Sequence, residues 1–490
     1  MNALVLRVVN GGVIAVPPSV RYLTTYVLLE QEDWFEKEIS FVRQVLTPGM
    51  RALDIGANMG LYSVAIATSV GPSGRVWAFE PASATIAFLK YTLRENSLTQ
   101  VEPHRLALSD HAGAGRLSTG PNSELNSLQP QDGAPCEDVP LATLDDLAQD
   151  LRMEGVDFVK LDAEGEEVRI VAGGHKFFTS EDPLVMFEVK HGTTVNLELP
   201  NAFRALGYEL YRLVGPSRYL VPVQLLEQLD AYELNLFACK ATRAQELERR
   251  GFLLRGPAAA VRAEAGSGLA YWRRQPFAVS WGVQACDPNR DMAASLDAFA
   301  VWKAESEPGA RRYAGLLAAI AALGPQSGGA PTLTGLSMLA RAAIDGGRRE
   351  LAVAALSSII NMAQTGKTPV SEPCWPAAER FDTVPVAGDV ATWLIAAAAD
   401  AYVRLVAFSG YFSGPATLPL LDWLQDTPYA SASMERRRQL QALQSGRATG
   451  IAPSALLATA SPQHLNVEFW TQAVGAGAAV VAPGLISSID

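Results

Sequence analysis

The chain has 490 residues, enough for about three domains of ordinary size. Apolar residues make up 49% and charged residues 19%, which excludes a mostly disordered chain. The formal charge is −11, so non-specific binding to nucleic acid is excluded as a main role, because neutralising phosphates needs clustered Lys and Arg.

The four cysteines, Cys136, Cys239, Cys286 and Cys374, form neither a disulfide framework nor a CxxC-type zinc site. The N-terminal run MNALVLRVVNGGVIAV is apolar but interrupted by Arg7, unlike a secretory signal. The stretch at 393–408 is too short to span a bilayer and carries Asp400 and Arg404. A cytoplasmic location without a transmembrane segment is expected. The Arg and Ala usage points to a bacterial gene.

In chain order, the first 45 residues lead in with strands and a helix. Short β-rich runs then follow at RALDIGA (51–57), RVWAFEP (75–81), VEPHRLALS (101–109), VDFVKLDAE (156–164) and LVMFEVK (184–190). Helical segments separate them: MGLYSVAIATSV, SATIAFLKYTLRENS, LATLDDLAQDLRME and EEVRIVAGGHKFF. This alternation predicts βαβ units and a mostly parallel, doubly wound α/β sheet. YELYRLV (208–214) and LNLFACK (234–240) are expected to close it. The Gly-, Pro-, Ser- and Asn-rich stretch between Asp110 and Val139 reads as a long loop.

Beyond residue 250 the texture turns to Ala-rich helices separated by Gly and Pro clusters. LSMLARAAIDGGRRELAVAALSSII reads as a helical hairpin turning at Gly346-Gly347, without a second copy at fixed period. The expected division is an α/β domain over 1–245 and an irregular α-helical domain over 250–490. The charged stretch 241–251 lies at the boundary.

The sharpest local signal is RALDIGANMGLYSVA. An apolar strand ends at Asp54-Ile55-Gly56 and a helix begins near Gly60. Glycine allows close backbone approach, and helix N-termini and strand carboxyl ends are where such sheets bind ligands. The order D-x-G-A-N-x-G departs from the nicotinamide fingerprint at Asn58. An ordinary tight βα turn remains the alternative. Glu80 ends the next strand, 20 residues after Gly60, where a carboxylate can accept from two ribose hydroxyls. A helix-capping role for the Pro81-Ala82-Ser83 region is compatible with that.

DIGANMGLYS, AFEP, ALSD, VPLATLDDL, FVKLDAEGEE and PLVMFEVK, in this order, resemble the FkbM-type methyltransferases. The resemblance covers roughly residues 30 to 240 and leaves the helical half unassigned. It implies a Rossmann-like class I methyltransferase fold, S-adenosylmethionine as cofactor, and methylation of hydroxyl oxygens on sugars or natural products. Asp54, Gly56, Ala57, Asn58 and Gly60 match the cofactor loop, with Asp54 holding the methionine amino group directly or through water. Glu80 and Pro81 match the ribose-binding turn. Ala107, Ser109 and Asp110 match the segment bordering adenine. Asn122, Asn126 and Ser127 follow in the long loop, as candidates to close the site.

FVKLDAEGEE carries Lys160, Asp162, Glu164, Glu166 and Glu167 at a strand end. Strand periodicity puts Lys160 and Asp162 on one face. The helix dipole accounts for acids in a first turn, more for Glu166 than for Glu167. PLVMFEVKHG adds Glu188 and His191. Methyl transfer to an alcohol needs alignment and a proton acceptor. The candidates are Glu164, Asp162, His191 and Glu188, with Lys160 orienting the cluster. Oxygen ligands for a divalent metal are present, but metal dependence is not favoured.

The expected function is O-methylation of a sugar hydroxyl in a glycan, lipopolysaccharide or glycolipid precursor. Methylation of a small natural product and a non-catalytic scaffold acting through the helical half are the alternatives. The helical half is expected to self-associate, bind acceptor or dock a glycosyltransferase. Trp272, Trp281, Trp302 and Trp375 read as core rather than as sugar-stacking platforms.

Overall fold

The computed structural model describes residues 2–460, apart from 10, 121–122, 124–125, 129–134, 192–193, 196, 216–217, 224–225, 227–228, 256–262, 282–286, 325–330, 367–369, 371 and 453. The chain opens with strands β1 (Leu4–Arg7) and β2 (Val13–Val16), then helices α1 (Leu23–Gln31) and α2 (Glu38–Val45). Next come β3 (Arg51–Ile55), α3 (Leu61–Val70), β4 (Arg75–Phe79), α4 (Ser83–Glu95) and β5 (Val101–His104). A short sheet follows from β6 (Ala107–Leu108), β7 (Gly113–Ser118) and β8 (Cys136–Ala142). Then come α5 (Leu144–Asp150), β9 (Phe158–Leu161), α6 (Glu167–Gly173), α7 (His175–Ser180) and β10 (Leu184–Glu188). The strand pair β11 (Lys190–His191) and β12 (Thr194–Val195) precedes α8 (Glu198–Ala205), β13 (Glu209–Val214), β14 (Tyr219–Pro222), β15 (Asn235–Cys239) and α9 (Ala241–Arg249).

The main sheet has eight strands in the order β14-β13-β15-β10-β9-β3-β4-β5. β5, β4, β3, β9 and β10 run parallel, and β15 inserts antiparallel between β10 and β13. This is the doubly wound sheet that the β/α alternation predicts, closed by the two runs expected to close it. Its strands are short apolar runs because helices cover both faces, as β3 illustrates: Ala52 to Ile55 are all buried. The strand order reverses at β3, which has β4 on one side and β9 on the other. The crevice outside the carboxyl ends at such a point is where these sheets take ligands.

One expectation needs correction. The stretch 110–139 is not a continuous loop: Gly113–Ser118 forms β7, antiparallel to β8. Its sequence GAGRLS hides the strand, since only Leu117 and Ser118 are buried and no alternation shows. The charged stretch 241–251, where the boundary was expected, is mostly helical. It forms α9, whose Ala244 and Leu247 enter the same core as Phe237 and Cys239, and Leu253 joins them. Its many charges occupy the outward face.

The remaining helices are α10 (Ser267–Trp272), α11 (Pro276–Trp281), α12 (Arg290–Lys303), α13 (Gly309–Leu323), α14 (Leu333–Asp345), α15 (Arg349–Gln364), α16 (Val390–Leu405), α17 (Gly410–Ser413), α18 (Leu418–Gln425), α19 (Ala432–Gln444) and α20 (Ala455–Ala460). Helices α14 and α15 form the hairpin that turns at Gly346-Gly347. Trp272, Trp281, Trp302 and Trp375 are all buried in the helical core, together with Val214, Tyr219 and Val221 from the sheet edge. The α1 helix packs on α17 and α19. Glu30 on α1 accepts from Ser409 Oγ (2.7 Å) and the Gly410 N–H (2.8 Å) and pairs with Arg437 Nε (2.9 Å). Among the described residues no single helix is long and apolar enough to cross a membrane. Only α16 taken with 410–425 approaches that, across an 84° bend.

Candidate active site

A cleft opens at the carboxyl ends of β3, β4 and β9. Its floor is the turn after β3. Gly56 takes φ 76°, and a Cβ there would lie 1.7 Å from the Asp162 carbonyl oxygen. The glycine is therefore required by backbone packed on backbone, rather than by a ligand. Gly60 (φ 95°) is the residue before α3, and its Cβ would press on Leu89 of α4 at 2.8 Å.

Of the residues matched to the cofactor, Gly56, Ala57, Asn58, Glu80, Pro81 and Ala107 line the cleft. Asn58 adopts a left-handed φ of 48°, tolerable for Asn, and accepts from Ser123 Oγ at 2.9 Å. The buried Glu80 carboxylate accepts from the Asn58 N–H (3.0 Å) and the Ala82 N–H (2.9 Å). Burial pushes its pKa up to about 7, against those hydrogen bonds. Each oxygen keeps a lone pair for a further donor such as a ribose hydroxyl. Ile55, Phe79, Leu106 and Leu108 supply apolar walls. These residues fit S-adenosylmethionine: a carboxylate for the ribose and apolar faces for the adenine.

Four matched residues do not line the cleft. Asp54 is fully buried and accepts from Ser63 Oγ at 2.6 Å; its other oxygen lies 3.9 Å from Lys160 Nζ. Asp54, expected to hold a methionine amino group directly or through water, sits opposite Lys160 in the strand register. Gly60 serves helix packing, as above. Ser109 is buried and donates to Glu166 Oε2 at 3.1 Å. Asp110 is exposed and bonded to His111 Nδ1 at 2.6 Å. The chain turns away from the cleft after Leu108, so of Ala107, Ser109 and Asp110 only Ala107 reaches it. In the following loop Asn126 lines the cleft, Ser127 Oγ donates to the Glu164 carbonyl at 3.1 Å, and Asn122 lies outside the described residues.

Lys160, Asp162 and Glu164 come together in the cleft. The Lys160 ammonium donates to the Gly56 carbonyl (2.8 Å) and pairs with Asp162 (3.0 Å). Burial opposes its charge, but Asp162 and Asp54 outweigh this and hold its pKa above the ordinary lysine value. Glu164 has a left-handed φ of 50°, which costs energy for a residue with a Cβ. Glu188 ends β10 and does not line the cleft. Burial, then Asp162 and Glu164, push its pKa well up. His191 lies in β11, and its side chain is outside the described residues. Among the described residues no group of three or more His, Cys, Asp or Glu is arranged to hold a metal ion.

Sequence reasoning missed Glu36, Trp34, Thr24 and Tyr62, which all line the cleft. The Glu36 carboxylate accepts from Tyr62 Oη (2.6 Å) and Asn235 Nδ2 (3.2 Å). The two helix-start acids also exchange roles. Glu166 lines the cleft, whereas Glu167 accepts from the Ala163 (2.8 Å) and Gly165 (3.2 Å) N–H groups and closes the turn. Glu167 is the first residue of α6, and no local sequence signal separates its role from that of Glu166.

Residues 54–210 match the family model described as the methyltransferase FkbM domain. Residues 54–210 therefore carry a methyltransferase domain, and the helical half lies outside the match. Among solved structures, a putative rRNA methylase from Clostridium thermocellum is 12% identical, covering 42% of this chain and 96% of that one, with a TM-score of 0.27. A SAM-dependent O-methyltransferase from Thermotoga maritima is 18% identical over 42% of this chain and 64% of that one, TM-score 0.25. Aeropyrum pernix fibrillarin, with natively bound S-adenosyl-L-methionine, is 17% identical over 48% and 82%, TM-score 0.25. No curated protein matches the sequence.

Proposed function

We propose that the chain methylates a hydroxyl oxygen of a sugar, in a glycan, lipopolysaccharide or glycolipid precursor. The observation that carries this is the set of carboxylates Glu36, Asp162 and Glu164 in the cleft that Glu80 also lines. A sugar hydroxyl is a weak acid and needs a proton acceptor as it becomes an ether oxygen. Several carboxylates side by side also accept from neighbouring hydroxyls of one ring. S-adenosylmethionine, when bound, supplies an activated methyl group. Glu80 would hold its ribose, and the apolar walls its adenine. Lys160, tied to Gly56, Asp162 and Asp54, fixes the turn after β3 against the acid cluster. The burial of these groups raises the strength of every charge interaction among them.

The test is calorimetry followed by a turnover screen. Wild type should bind S-adenosylmethionine, and Glu80→Ala should weaken binding at least 10-fold while remaining folded by circular dichroism. Release of S-adenosylhomocysteine is then followed with a panel of methyl glycosides and, separately, hydroxylated aromatic and polyketide compounds. Turnover confined to the second panel would overturn the sugar reading. Failure of wild type to bind the cofactor would overturn the whole proposal.

A further inference from the structure

Glu36 lies outside the matched family segment, in the link between α1 and α2. It lines the cofactor cleft and also a second cavity, walled by Arg349 and Phe408 of the helical half. The link is gripped from that half. Phe35 packs on Phe408 (5.4 Å between ring centroids) and edge-on to Phe412 (5.8 Å), with Trp34 at 4.5 Å. Gln31 Nε2 donates to the Phe408 carbonyl at 2.8 Å. On the other side Lys37 Nζ donates to the Leu213 carbonyl (3.1 Å) and to Glu233 (3.2 Å). Glu36 is thus held between two anchored neighbours, its carboxylate fixed by Tyr62 and Asn235.

We propose that Glu36 is the carboxylate that takes the acceptor's hydroxyl proton, and that the helical half holds it in place through Phe408 and Phe412. The inference rests on the methyl-transfer reading above. In the step, the acceptor O–H bond breaks and its proton goes to Glu36. The oxygen forms a bond to the methyl carbon, the carbon–sulfur bond breaks, and its electron pair leaves the sulfur neutral. No further reactant is needed. Among the cleft acids, Asp162 is ion-paired with Lys160, whereas Glu36 is held by the neutral donors Tyr62 and Asn235. Burial and the nearby Asp162 raise the Glu36 pKa, which improves a carboxylate as a proton acceptor near neutrality. The helical half then acts as a positioning body for the acceptor side of the site.

The experiment uses the full chain, with acceptors from the panel that wild type methylates. Glu36→Gln should lower kcat at least 100-fold, with KM and cofactor affinity within about threefold of wild type. Glu36→Asp should recover part of the loss. The pH profile of kcat should lose its acidic limb in Glu36→Gln, a readout that reflects Glu36 among the facing groups Asp162, Lys160, Tyr62, Glu38 and Glu188. Phe408→Ala should lower kcat at least 10-fold at unchanged cofactor affinity, and Phe408→Leu, which refills most of the volume, should restore it. Wild-type kcat in Glu36→Gln, or lost cofactor binding in a folded Phe408→Ala, would overturn the inference while leaving methyl transfer standing. Absence of turnover by wild type on both panels would overturn the methyl-transfer reading and this inference with it.

Discussion

Asp54 and Lys160 face each other across the parallel strands β3 and β9, and the Lys160 ammonium comes within 3.9 Å of Asp54 Oδ1. Lys160 lines the cleft and Asp54 does not. The acid at the head of the glycine turn therefore meets the lysine and not the cleft. Burial raises the Asp54 pKa, and Lys160, then Ser63, pull against that rise. Lys160→Met should leave a buried carboxylate without its cation and cost about 3–5 kcal/mol in urea unfolding. The double variant Asp54→Asn/Lys160→Met should recover much of that. Strictly additive losses would show that the pair is not coupled.

Glu38 is buried, and its pKa is pushed up to about 8 by burial, against the pull of Lys37. The folded protein holds a proton there that the unfolded chain has released above about 4.5. Unfolding free energy should therefore fall as pH rises from about 4.5 toward 8. The slope for one such group is about 1.4 kcal/mol per pH unit. Glu80 adds to the same trend up to about pH 7. Glu38→Gln should flatten much of this slope, as read by chemical denaturation at a series of pH values. An unchanged slope would remove Glu38 as its source.

Gly56 and Gly60 are separated by what an added methyl group meets. At Gly56 it meets the Asp162 carbonyl at 1.7 Å, a piece of backbone that cannot rotate away. At Gly60 it meets the far end of Leu89 at 2.8 Å. Gly56→Ala should prevent folding or cost more than about 3 kcal/mol, whereas Gly60→Ala should cost about 1–2 kcal/mol from its φ alone. Equal melting temperatures for the two variants would contradict the packing argument.

Glu164 holds a left-handed backbone with a full side chain, at φ 50°. Glu164→Gly should hold or raise unfolding free energy by up to about 1 kcal/mol, where most glycine substitutions lower it. Methyl transfer should fall at least 10-fold, the pattern of strain retained for the site. A destabilised variant with intact turnover would place the strain in the service of the fold.

The α/β half was legible because its parallel strands are buried on both faces and so appear as short apolar runs between helical segments. The turn after β3 announced itself through Gly56 and Gly60, yet for a different physical reason than ligand approach. The direction of Asp54 was not legible, because it depends on β9 lying beside β3, a pairing of residues about a hundred positions apart. Glu36 and Trp34 carry no periodic signal at all. Their place in the cleft is set through Phe35 between them, which packs on Phe408 and Phe412 far along the chain.

The bonds between Glu30 and the Ser409-Gly410 turn join positions 380 residues apart. Translation at 5–20 residues per second sets roughly 20 to 75 s between synthesis of α1 and arrival of its partners. During that interval α1, whose residues from Leu23 to Glu30 are all buried in the finished protein, has part of its cover from Leu4, Leu6, Ile14, Val16 and Val64 but lacks Tyr411, Leu440 and Leu443. The sheet strands from β3 to β15 emerge in the meantime and can assemble first. Assembly then ends at the face of α1 that meets α17 and α19, and shielding that face on the ribosome is work suited to a chaperone.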